Sequence, residues 1–176
     1  MSQAHTLHKL HLGCGQDHWE GYVNIDVDPS ARADLVLDLK DLPKAFAPAS
    51  VSEICGYHVL NYLSYWNACS FFRDAGRILA PGGVLILETV NLETVARLLL
   101  SAQGNLPQYF EGVRAIHGFG LDHMANAYAF TPNRFSWTPW HLQHELEAAG
   151  LSSVRLLPPQ SHAAWRDMRV ECIQAG

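Results

Sequence analysis

The sequence is poor in basic residues. Twelve Lys and Arg against 17 Asp and Glu give a formal net charge of -5, and no cluster of cations marks a surface for a phosphate backbone. Nucleic acid is therefore not an expected partner. Cysteine is scarce and scattered, at Cys14, Cys55, Cys69 and Cys172, without a C-x-x-C pair. That spacing argues against zinc and dithiol motifs and agrees with reduced thiols in a cytoplasm. No apolar run approaches the roughly 20 residues of a membrane helix, so no membrane partner is expected. The opening "MSQAHTLHKL" lacks an apolar core followed by a small-residue cleavage site, which makes the cytoplasm the expected location. The 10 histidines are dispersed and show no H-E-x-x-H spacing, and no metal is expected.

What is present is a chain of 176 residues, 48% hydrophobic, which reads as a single domain over residues 1–176 with enough apolar side chain to bury a core. Short apolar runs bounded by Gly, Asp and Pro recur in the first half: "KLHLG", "GYVNID", "DLVLD", "VSEICGY" and "GGVLILETV". Runs of this kind suit strands buried in a parallel sheet. Between the fourth and fifth, Trp66, Cys69, Phe72, Ala75 or Gly76, and Leu79 recur at helical steps, predicting one helix from Ser64 to Leu79 that stops at "APGG". A second helix is predicted over Leu92 to Ala102 and a third from Thr138, a cap, to Ala149. "LSSVRLLP" and "MRVECIQ" supply two last strands that can pair as a hairpin. Residues 103–137 show little periodicity but many aromatics, as expected of a lid on the acceptor side of a site.

The stretch "LHLGCGQDHWEGYVNID" carries the chemistry. Gly13 and Gly15 let the chain turn tightly and approach a ligand. A dinucleotide site adds a third glycine and a helix whose N-terminus receives the pyrophosphate. Here His18 occupies the third position, and the chain reaches Asn24 too soon for a usual crossover helix. A cofactor without phosphates does not need that helix, and S-adenosylmethionine is one. Asp26, closing the second run, can accept from both ribose hydroxyls, with Asp28 in reserve. Asp38, closing the third, can accept from the adenine amine, with Leu39 as an apolar edge. Cys14 reads as a small residue that fits the turn.

With "NIDVDP", "ADLVLDLKDLP", "ICGYHVLNYL", "GRILAPGGVLILETVN" and "LQHELEAAGLSSVRLL" added in order, the sequence resembles the class I S-adenosylmethionine-dependent methyltransferases, in particular small bacterial ones with a shortened first crossover. The resemblance implies an α/β fold, a Rossmann-like three-layer sandwich on a seven-stranded, mostly parallel sheet with an antiparallel last strand. It implies cofactor contacts at Gly13, Cys14, Gly15, Asp26, Asp38, Leu39 and Tyr57, with Tyr57 and His58 lining the methionine end. Two features depart from the family: Asn61-Tyr62 stand where Glu-His is usual, and the helix after the glycines is nearly absent.

Methyl transfer proceeds by direct displacement, so alignment of acceptor and methyl group supplies much of the acceleration. An O–H or protonated amine acceptor still has to lose a proton, for which His58, His117 and His123 are the candidate bases. The expected activity is methyl transfer to a small-molecule or sugar-like acceptor. The alternatives are transfer of another group from the same cofactor, a homologue or partner subunit that binds without catalysis, and a nicotinamide dehydrogenase.

Overall fold

A computed structural model describes residues 7–118, 132–161 and 163–175. Its seven strands are β1 (His8–Leu12), β2 (Val23–Asp26), β3 (Leu35–Val36), β4 (Val51–Tyr57), β5 (Leu79–Val90), β6 (Leu151–Leu157) and β7 (Asp167–Gln174). They form one sheet in the order β3-β2-β1-β4-β5-β7-β6. The first five strands are parallel, and β7 runs antiparallel between β5 and β6. This is the mostly parallel α/β sheet expected from the resemblance, with the last two strands paired as a hairpin.

The helices are α1 (Leu42–Ala45), α2 (Tyr65–Ile78), α3 (Leu92–Ser101), α4 (Leu106–His117) and α5 (Pro139–Ala148), with 3-10 turns at Leu39–Asp41 and Val59–Tyr62. Side-chain caps set the starts of four of them: Ser64 accepts from the Asn67 amide, Asn91 from Glu93 and Thr94, Asn105 from Gln108, and Thr138 from His141. Among the described residues no helix is long and apolar enough to cross a membrane.

Alternation along the strands gives the sheet two unlike faces. Leu10, Leu12, Ile25, Ile54, Leu85, Leu87 and Val170 share one core with Leu42 of α1, Phe71 and Phe72 of α2, and Leu142 and Leu146 of α5. Each fully buried Leu or Phe contributes about 1.5–3 kcal/mol by leaving water. The intervening positions, among them His11, Asn24, Tyr57, Glu88 and Arg169, face the other side, where the cover is thinner. Near β1 and β4 it is the Trp19 loop, and at the end of β5 it is α3 with α4, which gather Val90, Val95 and Ala115 into a second small core.

Two expectations are corrected in detail. Trp66 belongs to the predicted apolar stripe of α2 but is 77% exposed: it sits in the first turn, and the buried face of the helix begins at Ala68. The "APGG" turn lies inside β5 as an irregularity: Val51 pairs with Leu79 and Glu53 with Val84, so the intervening residues loop out of the ladder. A further helix, α4, fills part of the stretch read as aperiodic. It packs on α3 through Gly112, where an added Cβ would lie 2.6 Å from Leu99 Cδ2, so its contact residue is a glycine rather than a large apolar side chain.

Candidate functional site

Because β1 to β5 are parallel, their carboxyl ends share one rim, and the chain segments leaving β1, β2, β3 and β4 meet there. The connection from β1 to β2, residues 13–22, contains no helix, as the sequence spacing required. Parallel strands normally need a longer crossover. Here the side chain of Asn24, wholly buried, replaces it. Its oxygen accepts from the Trp19 amide at 2.8 Å and faces His11 Nδ1 at 3.0 Å, while its nitrogen donates to the carbonyls of Trp19 and Tyr22 and to Asp34 Oδ2. This orientation places a proton on His11 Nδ1. Burial lowers the His11 pKa, and its neutral ring stacks on Trp19 at 4.0 Å. Asp34 also takes the Asn24 amide and His18 Nε2, and hydrogen bonds from Asn24 hold its carboxyl at about 2.

The glycine turn is locked to the end of β2. Gly13 and Gly15 adopt φ of 65° and 52°, in the left-handed region. The Gly13 and Cys14 amides donate to the Ile25 carbonyl, and the Gly15 amide donates to Asp26 Oδ2 at 2.8 Å. The other Asp26 oxygen accepts from the Asp28 amide at 2.9 Å. Each carboxylate oxygen retains acceptor capacity for a further donor. A Cβ on Gly15 would meet nothing within 4 Å, whereas one on Gly13 would lie 3.3 Å from Val59 of the turn after β4. An added side chain would therefore enter open space at Gly15 but press on Val59 at Gly13, although Gly13 itself is exposed.

The other expected cofactor residues are placed as follows. Cys14 is buried, and burial pushes its thiol up to about 11, which suits a packing role. Asp28 is engaged in its own turn, accepting from the amide and hydroxyl of Ser30. Asp38 accepts from the Lys40 amide as an N-cap and pairs with Lys40 Nζ at 2.9 Å. Leu39 turns into the main core with 8% exposure, so little of it is left to face a ligand. Tyr57 lies against Trp19, ring centroids 5.4 Å apart, and its hydroxyl accepts from Arg169 Nη1 at 3.4 Å. It thus reaches the thinly covered face of the sheet instead of standing free at the rim.

His58 follows β4 directly, in the left-handed region at φ 59°. Its ring is enclosed by protein groups. Nδ1 faces Asn61 Nδ2 at 3.2 Å, and the buried Nε2 stands 3.1 Å from Asp167 Oδ2 at the start of β7, without a straight N–H···O line. Thr89 Oγ1 donates to Asn61 Oδ1 at 2.5 Å, which turns the amide nitrogen toward the histidine. Asp167, with its side chain fully buried, also receives Arg166 Nε at 2.6 Å and Nη2 at 2.9 Å. Burial raises its pKa, but the His58 ring beside it and the hydrogen bonds from Arg166 outweigh burial and hold the carboxyl at about 2. His58, expected as a candidate base, thus has both ring nitrogens facing protein side chains.

His117 is the exposed last residue of α4, and no described contact joins it to His58 or to the glycine turn. His123 lies outside the described residues. Sequence reasoning missed Asn24, Asn61, Asp167 and Glu88. Buried Glu88 fastens the β6–β7 loop to the rim by accepting from the Gln160 amide at 2.7 Å and from the Ser161 amide and hydroxyl. The Asn61-Tyr62 departure was the one signal that pointed to any of them. An open groove of about 280 Å³ lies elsewhere, at the α3–α4 elbow, lined by Leu99, Ala102, Gln103, Gly104, Leu106 and Tyr109 with no carboxylate or histidine.

No protein-family model and no curated protein matches the chain. Solved structures do. A methyltransferase dependent on S-adenosylmethionine from Archaeoglobus fulgidus matches with a TM-score of 0.63 at 10% identity, covering 95% of this chain and 86% of that one. One from Mesorhizobium loti gives 0.62 at 16% identity, covering 98% and 93%. The CurJ carbon methyltransferase gives 0.62 at 17% identity, covering 100% of this chain but 50% of its own. The chain has the fold of the class I S-adenosylmethionine-dependent methyltransferases.

Proposed function

We propose that the chain binds S-adenosylmethionine at the carboxyl rim and transfers its methyl group to a small-molecule or sugar-like acceptor in the cytoplasm. The observation that carries this reading is the Asp26 carboxylate, fixed beside an open Gly15 by the Gly15 amide, in a crossover that offers no helix to a pyrophosphate. Asp26 would take the ribose hydroxyls, the Gly13–Gly15 turn would pass beneath the adenosyl group, and Asp38 would meet the adenine edge by exchanging its contact with the exposed Lys40. When bound, the cofactor supplies an activated methyl group on a sulfonium. The residues of the chain contribute orientation and exclusion of water around it.

Calorimetry with S-adenosylmethionine, S-adenosylhomocysteine and NAD side by side tests the reading. Binding of the first two and not of NAD is expected. Binding of NAD alone would replace methyl transfer with hydride chemistry. Asp26→Ala removes a charged hydrogen-bond acceptor and is expected to weaken cofactor binding by about 1.5 to 3 kcal/mol. An unchanged dissociation constant removes Asp26 from the site. A second reading, binding without turnover, is favoured by the enclosure of His58, and it predicts affinity for both adenosyl compounds with no S-adenosylhomocysteine formed in an acceptor screen.

A further inference from the structure

The polar group around His58 spans four elements. His58 directly follows β4, Asn61 lies on the next turn, Thr89 is on β5, and Asp167 opens β7 with Arg166 just before it. Such a group is costly to bury unless its members satisfy one another, and the chain of donors here is ordered. The Thr89 hydroxyl donates to Asn61 Oδ1, so Asn61 Nδ2 is the face turned to His58 Nδ1. An N–H donor opposite Nδ1 requires a lone pair on that nitrogen, which leaves the ring proton on Nε2, beside the Asp167 carboxylate. Arg166 in turn holds both oxygens of Asp167. The other charged pair nearby, Glu88 with Arg169, is joined to His58 through the backbone, where the His58 amide donates to the Glu88 carbonyl at 2.8 Å.

We propose that Asp167 and Asn61 are positioning residues for His58: Asp167 keeps the ring proton on Nε2, so that Nδ1 is the basic atom, and Asn61 covers Nδ1 until an acceptor takes its place. The proposal rests on the methyltransferase reading for its substrate, an acceptor bearing an O–H or N–H group. As the methyl group passes from sulfonium sulfur to that acceptor, the S–CH3 bond breaks with its electron pair left on a neutral thioether, the acceptor's O–H or N–H bond breaks, and the proton forms a bond to Nδ1. The resulting imidazolium lies against the Asp167 carboxylate, which it shares with the Arg166 guanidinium. The proton passes to water once Asn61 returns. This accounts for an enclosed histidine at the rim: the buried Asp167 aligns the ring from behind, and the neutral amide in front is a group that an incoming hydroxyl or amine can replace bond for bond.

Two measurements decide it without an acceptor. Nitrogen-15 histidine spectra of the wild-type chain are expected to show His58 with its proton on Nε2, and a proton on Nδ1 overturns the proposal. Diethyl pyrocarbonate, which acylates accessible unprotonated imidazole nitrogen, is expected to modify His58 slowly in wild type and about tenfold faster in Asn61→Ala, as read by peptide mass spectrometry. Equal rates in a folded Asn61→Ala chain overturn the covering role. Should that variant fail to fold, the wild-type spectrum decides alone. Calorimetry with S-adenosylmethionine is run separately: absence of binding there sinks the methyltransferase reading, while the spectra and the acylation rates still report on the His58 arrangement.

Discussion

A few side chains carry loads that longer elements usually carry. Asn24 stands in for a helix, satisfying backbone groups of a loop too short to satisfy its own. Asn24→Ala leaves the part-buried Trp19 amide and carbonyl without that partner and is expected to cost about 1 to 3 kcal/mol in chemical denaturation. A change below the error of the measurement would mean that water replaces the amide. Asp167 sets an acid limit. Its folded carboxyl titrates at about 2, below the value near 4 of an unfolded aspartate, so its stabilisation is complete above about pH 4 and is lost as pH falls from there toward 2. Asp34, also at about 2 but more exposed, adds a smaller contribution over the same window. Thermal melts should therefore fall steeply below pH 4 in wild type and less steeply in Asp167→Asn. Parallel curves would show that the ion pair is not coupled to folding.

At the level of elements, the glycine turn separates strain from ligand contact. Gly13→Ala and Gly15→Ala each force a side chain into the left-handed region at about 1–2 kcal/mol. Gly13→Ala also presses on Val59, so it is expected to destabilise the fold more. Gly15→Ala places its methyl in open space above the turn and is expected to reduce S-adenosylmethionine affinity more than Gly13→Ala does, by calorimetry. The reverse order would move the ligand away from Gly15. The same elements show what was legible. The strands announced themselves as apolar runs, and α2, α3 and α5 by spacing and caps. The α4 helix was hidden because its buried positions are Gly112 and Ala115 while Leu106, Tyr109 and Phe110 remain exposed. Its periodicity lies in small residues, which hydrophobic patterning does not weigh.

For the whole molecule, the mostly parallel character of the sheet was readable because the first five strand runs are short, apolar and bounded by Gly, Asp and Pro, and the last two could pair as a hairpin, whereas the order β3-β2-β1-β4-β5-β7-β6 was not legible in the runs themselves. The site was readable at its backbone and less so at its side chains. Gly13, Gly15 and Asp26 could be located because each stands at or just beyond a strand end. The coupling of His58 to Asp167 joins residues more than a hundred positions apart, and nothing local in "WRDMRV" signals a partner for a histidine after β4. Since β7 is an inner strand with ladders on both sides, Val170→Pro is expected to abolish the cooperative thermal transition by circular dichroism. A variant that melted like wild type would mean that β7 is dispensable.

That inner position also sets an order of events during synthesis. The edge strand β6 leaves the ribosome before the strand that must lie between it and β5, so it waits unpaired until β7 emerges. The segment that ends this wait brings Asp167 to His58, so a nascent chain closes its sheet and finishes its histidine pocket in one late stroke.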